Sequence, residues 1–161
     1  DPTSVTTMGM TFTATTALER QINPGGRTVG AVTISANSSR GGFRVFSANT
    51  FSSITVAAGT SYLMFPTSAT NTITGSGGLT LNGSSSSPIL LCGNALNAGT
   101  PTLSLSSGAS TATWAALLAI TTAGSGTFTA TNSLDLGRNT LDSGDTITAP
   151  SGGGVVGVIG G

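Results

Sequence analysis

The chain has 161 residues, of which only ten are charged, and its five arginines balance its five acids. It contains 29 Thr, 22 Ser and 24 Gly, but no His and a single cysteine, Cys92. These counts exclude a His-based triad or metal site, an internal disulfide and a Cys-cluster zinc site within one chain. Zero net charge provides no electrostatic footprint for nucleic acid or an anionic membrane, so neither is expected as a partner.

Charge is confined to the two ends of the chain. The charged residues lie within residues 1–44 and 135–145, and residues 45–134 carry none. A monomer normally uses charge to stay soluble and to protect the edges of its sheets. The uncharged stretch therefore predicts surfaces that are covered by copies of the chain or by other partners. The alternative is that Ser and Thr hydroxyls alone provide the solvation.

Apolar residues alternate with hydroxyl or small residues along most of the chain, beginning with Met8, Met10 and Phe12. Asn23-Pro24-Gly25-Gly26 and Asn82-Gly83 mark turns, and the second is the dipeptide that favours a type I′ hairpin. This pattern predicts an all-β fold, an antiparallel sandwich or barrel of about ten short strands. Besides the strand that begins at Met8, the candidate strands of this fold lie at residues 32–35, 43–46, 54–56, 62–65, 72–74, 79–81, 89–92, 103–105, 127–131, 134–136, 146–148 and 155–159.

One segment departs from this alternation. Residues 110–123 are rich in Ala and Leu, and Ser110 is a candidate N-cap, so at most one short helix is expected near 110–123. The Thr-rich flanks favour a strand as the alternative. The organisation expected is one β-rich domain over residues 1–161, with a candidate subdivision at the Ser run of 84–88 and a Gly-rich apolar C-terminal tail at 151–161.

The acidic residues near the C-terminus are the only candidates for chemistry. Asp142-Ser143-Gly144 matches the Asp-Ser/Thr-Gly of aspartic proteases, but this composition is also that of a β-turn, which we favour. Asp135, Asp142 and Asp145 form an alternative oxygen-rich cation site. We expect no cofactor, no metal and no enzymatic activity, because the groups able to transfer protons are isolated carboxylates.

Two sets of residues are candidates for subunit contacts. Arginine suits bidentate, partly buried contacts, and the apolar tail either completes the sheet or docks on a neighbouring subunit. Plain solvent exposure is the alternative for the arginines. Cys92 lies in an apolar strand and is expected to be a buried free thiol, with an intermolecular disulfide as the alternative. The contact candidates are Arg20, Arg27, Arg40, Arg44, Val155, Val156, Val158 and Ile159.

Residues 72–83 (TITGSGGLTLNG) and 134–141 (LDLGRNTL) resemble two groups of proteins. One is the small β-rich surface proteins of tailed-phage virions, of the capsid decoration, cement or fibre type. The other is the strand repeats of bacterial autotransporter passengers and similar adhesins. The second resemblance implies a β-solenoid with a Gly-x-Leu-x-Leu unit at a fixed period. That unit does not recur cleanly elsewhere, which counts against the solenoid.

The resemblance to virion proteins implies a homo-oligomeric subunit that binds a major capsid or other shell protein on the virion exterior. We therefore expect a non-enzymatic structural subunit of an extracellular assembly, a phage virion surface protein that stabilises the particle through repeated contacts. The alternatives are an extracellular adhesin or pilus-type filament subunit, or an autotransporter-like β-solenoid segment, in an extracellular or cell-surface location.

Overall fold

The computed structural model describes residues 8–13, 18–35, 41–95 and 98–151, and this part of the chain contains sixteen strands and no helix. The strands are β1 (Met10–Phe12), β2 (Arg20–Ile22), β3 (Thr28–Ile34), β4 (Phe43–Val45), β5 (Thr50–Ala57), β6 (Tyr62–Phe65), β7 (Thr70–Ile73), β8 (Leu79–Asn82), β9 (Ile89–Gly93), β10 (Thr102–Leu105), β11 (Ala109–Thr113), β12 (Ala115–Leu118), β13 (Thr121–Ala123), β14 (Thr127–Thr131), β15 (Leu134–Asp135) and β16 (Thr146–Ile147).

All pairings between these strands are parallel, and each strand pairs with strands from adjacent turns of the chain, on both sides except at the ends of the sheets. The molecule is therefore a β-solenoid of about five turns. Its coils differ in length. Thr70 lies against Thr102, 32 residues later, whereas Thr129 lies against Thr146, only 17 residues later.

Three faces surround the solenoid core. Face 1 consists of residues 28–29 of β3, residues 50–51 of β5, and β7, β10 and β13. Face 2 consists of β1, residues 31–34 of β3, residues 54–57 of β5, and β8, β11, β14 and β16. Face 3 consists of β2, β4, β6, β9, β12 and β15. Strands β3 and β5 bend from face 1 into face 2, which joins these two faces into one sheet.

The core is built from inward rows of apolar side chains, one row above another. Because side chains alternate across a strand and parallel strands pair in register, each inward residue lies over its equivalent in the next coil. Burying one such side chain contributes about 1.5–3 kcal/mol. Rows of this kind are Val29, Phe51 and Ile73 on face 1, Ile34, Val56, Leu81 and Ala112 on face 2, and Phe43, Leu63, Leu91 and Leu117 on face 3.

Asparagines join the coils at the corner between face 3 and face 1. Asn49 is 4% exposed; its Nδ2 donates to the carbonyls of Phe46 and Ser47, and its Oδ1 accepts the N–H of Gly26 in the preceding coil. Its own N–H donates to Asn71 Oδ1 at 3.1 Å. Where the backbone turns a corner, its N–H and C=O groups have no partner in a strand ladder. The side-chain amides of Asn49 and Asn71 provide hydrogen bonds to these backbone groups.

The expectation of an antiparallel sandwich or barrel is wrong, because every strand pairing in the described residues is parallel. The all-β assignment itself is confirmed. Alternation of apolar and hydroxyl residues indicates a strand with one buried face, but the same alternation suits a parallel or an antiparallel partner. The variable coil length also explains why no fixed period is visible in the sequence.

No helix forms near 110–123, where at most one short helix was expected, and the strand alternative is confirmed, since β11, β12 and β13 occupy this segment on three successive faces. The chain turns at Trp114 (φ 52°) and Ala119 (φ 53°), which have left-handed backbone conformations. Ala115 and Leu117 point into the core between these corners. Pairing with the coils on both sides outweighs the helix propensity of Ala and Leu, which is worth only tenths of a kcal/mol per residue.

The hairpin expected at Asn82-Gly83 is also absent. A type I′ turn needs positive φ at both residues, and neither has it. Gly83 instead allows a close approach between coils: its N–H donates to the Thr113 carbonyl, and a Cβ there would lie 2.3 Å from the Trp114 carbonyl oxygen. The Ser run forms a tight turn, closed by Ser84 and Ser87, between β8 and β9 of one coil.

Asn49→Ala is expected to lower the free energy of unfolding by about 2 kcal/mol, because it leaves buried corner carbonyls and the Gly26 N–H without partners. Asn82→Ala is the matched control: Asn82 is exposed, and its loss should change stability by less than about 0.5 kcal/mol. Urea unfolding of the two variants measures the difference. Equal effects would contradict the role assigned to Asn49.

Candidate functional site

Asp142 and Asp145 are used to hold the last corners of the solenoid. Asp145 accepts a 2.5 Å hydrogen bond from the Thr122 hydroxyl and a 2.6 Å bond from the Phe128 N–H. Asp142 accepts from the Gly124 N–H at 3.0 Å, and its own N–H donates to Thr122 Oγ1. Both carboxylates therefore connect the final coil to the coil before it.

Asp135 has a separate role at the neighbouring corner. Its Oδ1 accepts from the Gly137 N–H at 2.8 Å and from Asn139 Nδ2 at 2.6 Å. Asn139 in turn bonds the Leu117 carbonyl and the Ile120 N–H, so it repeats the corner arrangement of Asn49. Within the described ranges, no three His, Cys, Asp or Glu residues form a group that could hold a metal ion.

The segment that matches the aspartic protease motif forms a turn. The Asp145 N–H donates to the Asp142 carbonyl at 3.1 Å, and Gly144 has φ 94°. This geometry is that of the β-turn expected from the composition. Asp142 is held by backbone N–H groups and is not paired with another carboxylate in the way that a shared-proton dyad requires.

A polar cluster lies on the outer side of face 3 near the N-terminal end. Glu19 Oε2 accepts a hydrogen bond of 2.5 Å from the Tyr62 hydroxyl and lies 3.2 Å from Arg44 Nη2. Gln21 Nε2 donates to the other carboxylate oxygen at 2.7 Å. Gly42 makes room for the Tyr62 ring, since a Cβ there would lie 1.9 Å from Tyr62 Cζ. The cluster therefore joins three successive coils.

The cluster shifts the ionisation of both of its acids. The hydrogen bonds from Tyr62 and Gln21, followed by the charge of Arg44, hold the pKa of Glu19 below its usual value. Burial and the hydrogen bond to Glu19 raise the pKa of Tyr62 to about 12. These shifts favour one arrangement at neutral pH, in which the carboxylate is charged and the phenol keeps its proton.

The four arginines proposed as a subunit contact are not equivalent. Arg44 is paired with Glu19 and also lies 5.7 Å from the centre of the Phe46 ring. Arg20 donates from Nη1 to the Phe12 carbonyl at 3.1 Å, and burial lowers the pKa of its guanidinium. Arg27 is exposed, and Arg40 lies outside the described residues.

Arg27 lines an open pocket of about 350 Å³ at the N-terminal end, together with Met8, Met10, Asn23, Pro24, Thr28 and Val29.

Cys92 is a free, buried thiol, 2% exposed, as expected. Burial raises the pKa of this thiol, which keeps it protonated at neutral pH. Val155, Val156, Val158 and Ile159 lie outside the described residues, so their predicted contacts stay a prediction.

The outer side of face 3 is apolar over four coils. In register, Tyr62 lies over Leu90, Leu90 over Ala116 and Ala116 over Leu134. The neighbouring outward row continues this apolar surface, and Leu134 and Leu136 are 47% and 50% exposed. We call this surface the apolar strip. It consists of Tyr62, Met64, Leu90, Cys92, Ala116, Leu118, Leu134 and Leu136.

The apolar strip was not predicted from the sequence, although three strands carry a signal for it. Strands β6, β9 and β12 read YLMF, ILLCG and AALL, which are apolar at both alternating positions. The strands of face 2 instead alternate apolar residues with Thr, as in the TFTAT of β14. A strand that is apolar on both sides is typical of a sheet covered on both sides. In these three strands the outward residues are only partly covered, apart from Cys92.

No known protein family, curated protein or solved structure matches the chain at a significant level. The part of the chain that the structure describes has no helix long and apolar enough to cross a membrane.

The phenol of Tyr62, the only tyrosine in the chain, is expected to titrate near pH 12 rather than near 10. Because the folded-state pKa is raised, this group stabilises the fold below pH 10, and the contribution is lost as the pH rises from 10 towards 12. Ultraviolet absorbance of the phenolate measures the midpoint.

Glu19→Gln should lower that midpoint towards its ordinary value without reaching it, because burial of the ring remains. Asp142→Asn, at the opposite end of the solenoid, is the control and should not change it. A wild-type midpoint near pH 10 would contradict the Tyr62–Glu19 contact.

Proposed function

We propose that this chain is a rod segment of an extracellular structural protein of the adhesin kind, similar in architecture to an autotransporter passenger. Its role is mechanical and adhesive: stacked coils hold flat outer faces in fixed register and present them to partners. It carries out no reaction of its own. The alternative expected from the sequence, a virion surface protein, becomes one of the outcomes of the test below.

The parallel stack carries this proposal. Seven strands or strand segments of face 2 pair in register, from β1 to β16, while the connecting segments vary in length. A solenoid of this kind extends along a single axis as coils are added, because each coil packs only on its two neighbours. A stack of coils that tolerates corner insertions, and that can be extended by further coils, suits a surface rod better than a compact decoration subunit.

The acidic side chains already make hydrogen bonds or ion pairs within the protein, and this supports a role without catalysis. In the described segments, Asp135, Asp142 and Asp145 bind backbone N–H groups, and Glu19 is paired with Arg44 and Tyr62. A general acid or base must instead reach a substrate in a cleft. Any hydrolase activity that Asp142→Asn abolished would contradict this part of the proposal.

Surface labelling tests the proposed location. An antibody raised against the purified chain should label intact cells of the source organism, and brief protease treatment of those cells should remove the signal. An antibody to a cytoplasmic protein of the same cells is the matched control and should label only after permeabilisation. Labelling confined to permeabilised cells would contradict the proposal, and labelling of phage particles would favour the virion alternative.

We further propose that copies of the chain associate through the apolar strip. Residues 45–134 carry no charge, and the strip lies within this stretch apart from Leu136. Apolar side chains exposed in adjacent rows lose water when a second flat face covers them. A two-fold contact between identical strips would cover both copies in the same way.

Leu118→Arg should reduce the molar mass of the purified chain to that of a monomer, because it places a charge in the middle of the strip. Thr102→Arg, which places the same charge on the outer side of face 1, should leave the mass unchanged. Light scattering over a range of concentrations measures both. A wild-type chain that is monomeric throughout would contradict the self-association and leave the rod proposal standing.

A further inference from the structure

Face 2 has a threonine at the same outward position in each of its seven consecutive strands or strand segments. Each threonine lies directly over the next in a continuous register, and no other residue type interrupts the row. The row runs through Thr11, Thr33, Thr55, Thr80, Thr111, Thr129 and Thr146.

A second outward row runs beside the first, two residues further along each strand. Ala57, Asn82, Thr113 and Thr131 pair in register, and Thr148 continues the row through its N–H bond to the Ala130 carbonyl. Together the two rows form what we call the threonine array. Its repeats are about 4.8 Å from strand to strand and about 6.6 Å along each parallel strand. The array is therefore a regular two-dimensional lattice.

The hydroxyls of the first row are available to a ligand. Among the described contacts of this first row, only Thr80 uses its hydroxyl within the protein, in a 3.5 Å bond to the Gly77 carbonyl. In the second row, the hydroxyls of Thr131 and Thr148 donate to the Ala112 and Ala130 carbonyls. Thr111, Thr129 and Thr146 are exposed, and the other threonines of the row are exposed or partly exposed. A β-branched side chain in a strand is restricted in χ1, so hydroxyls and methyls are held in a regular order.

The chemistry of face 2 excludes several other ligands. Its strands contain no charged residue, so nothing on this face would bind phosphates or an acidic partner. Phe51 and Phe128 point into the core, and Phe12 is partly buried. The face therefore has no exposed aromatic platform of the kind on which sugar rings or bases stack.

We propose that the threonine array binds the surface of ice. The ligand suited to a rigid lattice of hydroxyls and methyls is itself a lattice of hydrogen-bonding oxygens, and the two repeats of the array lie close to oxygen repeats of hexagonal ice. Each contact is weak, but many contacts on a rigid surface act together without a cost of ordering. A bound molecule stops growth of the ice beneath it and thereby lowers the freezing temperature below the melting temperature.

Face 1 provides a matched comparison within the same molecule. Its outward positions are also rich in hydroxyl residues, but its rows are shorter than the seven-threonine row of face 2. One row has five members and ends in other residue types, as Thr28, Thr50, Thr72, Ser104 and Ala123, and the other has four, Thr70, Thr102, Thr121 and Thr140. The shorter and interrupted pattern presents fewer simultaneous contacts. Ice should therefore bind face 2 and not face 1.

The gap between melting and freezing temperature of a single ice crystal in a solution of the purified chain tests this proposal. The wild type should produce a gap and faceted crystals. Thr111→Tyr should reduce the gap about tenfold, because the ring holds the neighbouring hydroxyls away from the ice surface. Thr102→Tyr on face 1 should leave it unchanged. Thr129→Tyr gives a second variant of the array if Thr111→Tyr fails to fold, as judged by circular dichroism.

Incorporation into ice gives an independent readout. The chain has no lysine, so an amine-reactive dye labels only its N-terminus, and the labelled wild type should enter a slowly grown ice hemisphere. Rejection of the wild type from ice, equal effects of Thr111→Tyr and Thr102→Tyr, or binding to crystalline polysaccharide without binding to ice would each overturn the proposal. None of these outcomes depends on surface labelling of cells or on the mass of the Leu118→Arg variant.

Discussion

The in-register parallel hydrogen-bond ladder between successive coils is the interaction on which the rest of this structure depends. Because successive coils pair strand by strand, each paired strand residue lies over an equivalent residue 17 to 32 positions away. The sequence of each strand alternates apolar and polar residues, and the ladder places equivalent residues of successive coils over one another. Inward residues therefore form continuous apolar rows, and outward residues form rows of similar chemistry. The stabilisation of such a row is the sum over its repeated contacts, and it exceeds what any single contact could provide.

The corners allow the coils to differ in length while the ladder is preserved. Asn49 and Asn139 donate to and accept from the backbone of adjacent turns, so the carbonyls and N–H groups of the bends are satisfied. Trp114 and Ala119 accept left-handed backbone conformations at sharp turns, at a cost that the pairing on both sides offsets. Asp142 and Asp145 in the last coil accept hydrogen bonds from backbone N–H groups at their own corners in the same way.

The outer faces differ because the sequence gives each face its own outward residue type. Face 2 carries hydroxyls in a lattice, and face 3 carries the apolar strip with the Glu19–Arg44–Tyr62 cluster at its N-terminal end. A rigid scaffold with two such different surfaces can make two kinds of contact at once. Self-association through face 3 would leave face 2 free, so the proposed contact with a second copy and the proposed contact with ice are compatible.

Local pattern and composition were enough to predict the all-β class, most of the strands, the turn at Asp142-Ser143-Gly144 and the burial of Cys92. The uncharged stretch of residues 45–134 is also visible in the sequence. Which strands are neighbours depends on contacts between distant parts of the chain, and the structure was needed to show it. Alternation is the same for parallel and antiparallel pairing, and the unequal coils hide the period, so the solenoid, the strands in place of a helix at 110–123 and the threonine row could not be read from the chain alone. Thr80 and Thr111 are 31 residues apart in sequence, and their adjacency follows from the ladder that closes one coil onto the next.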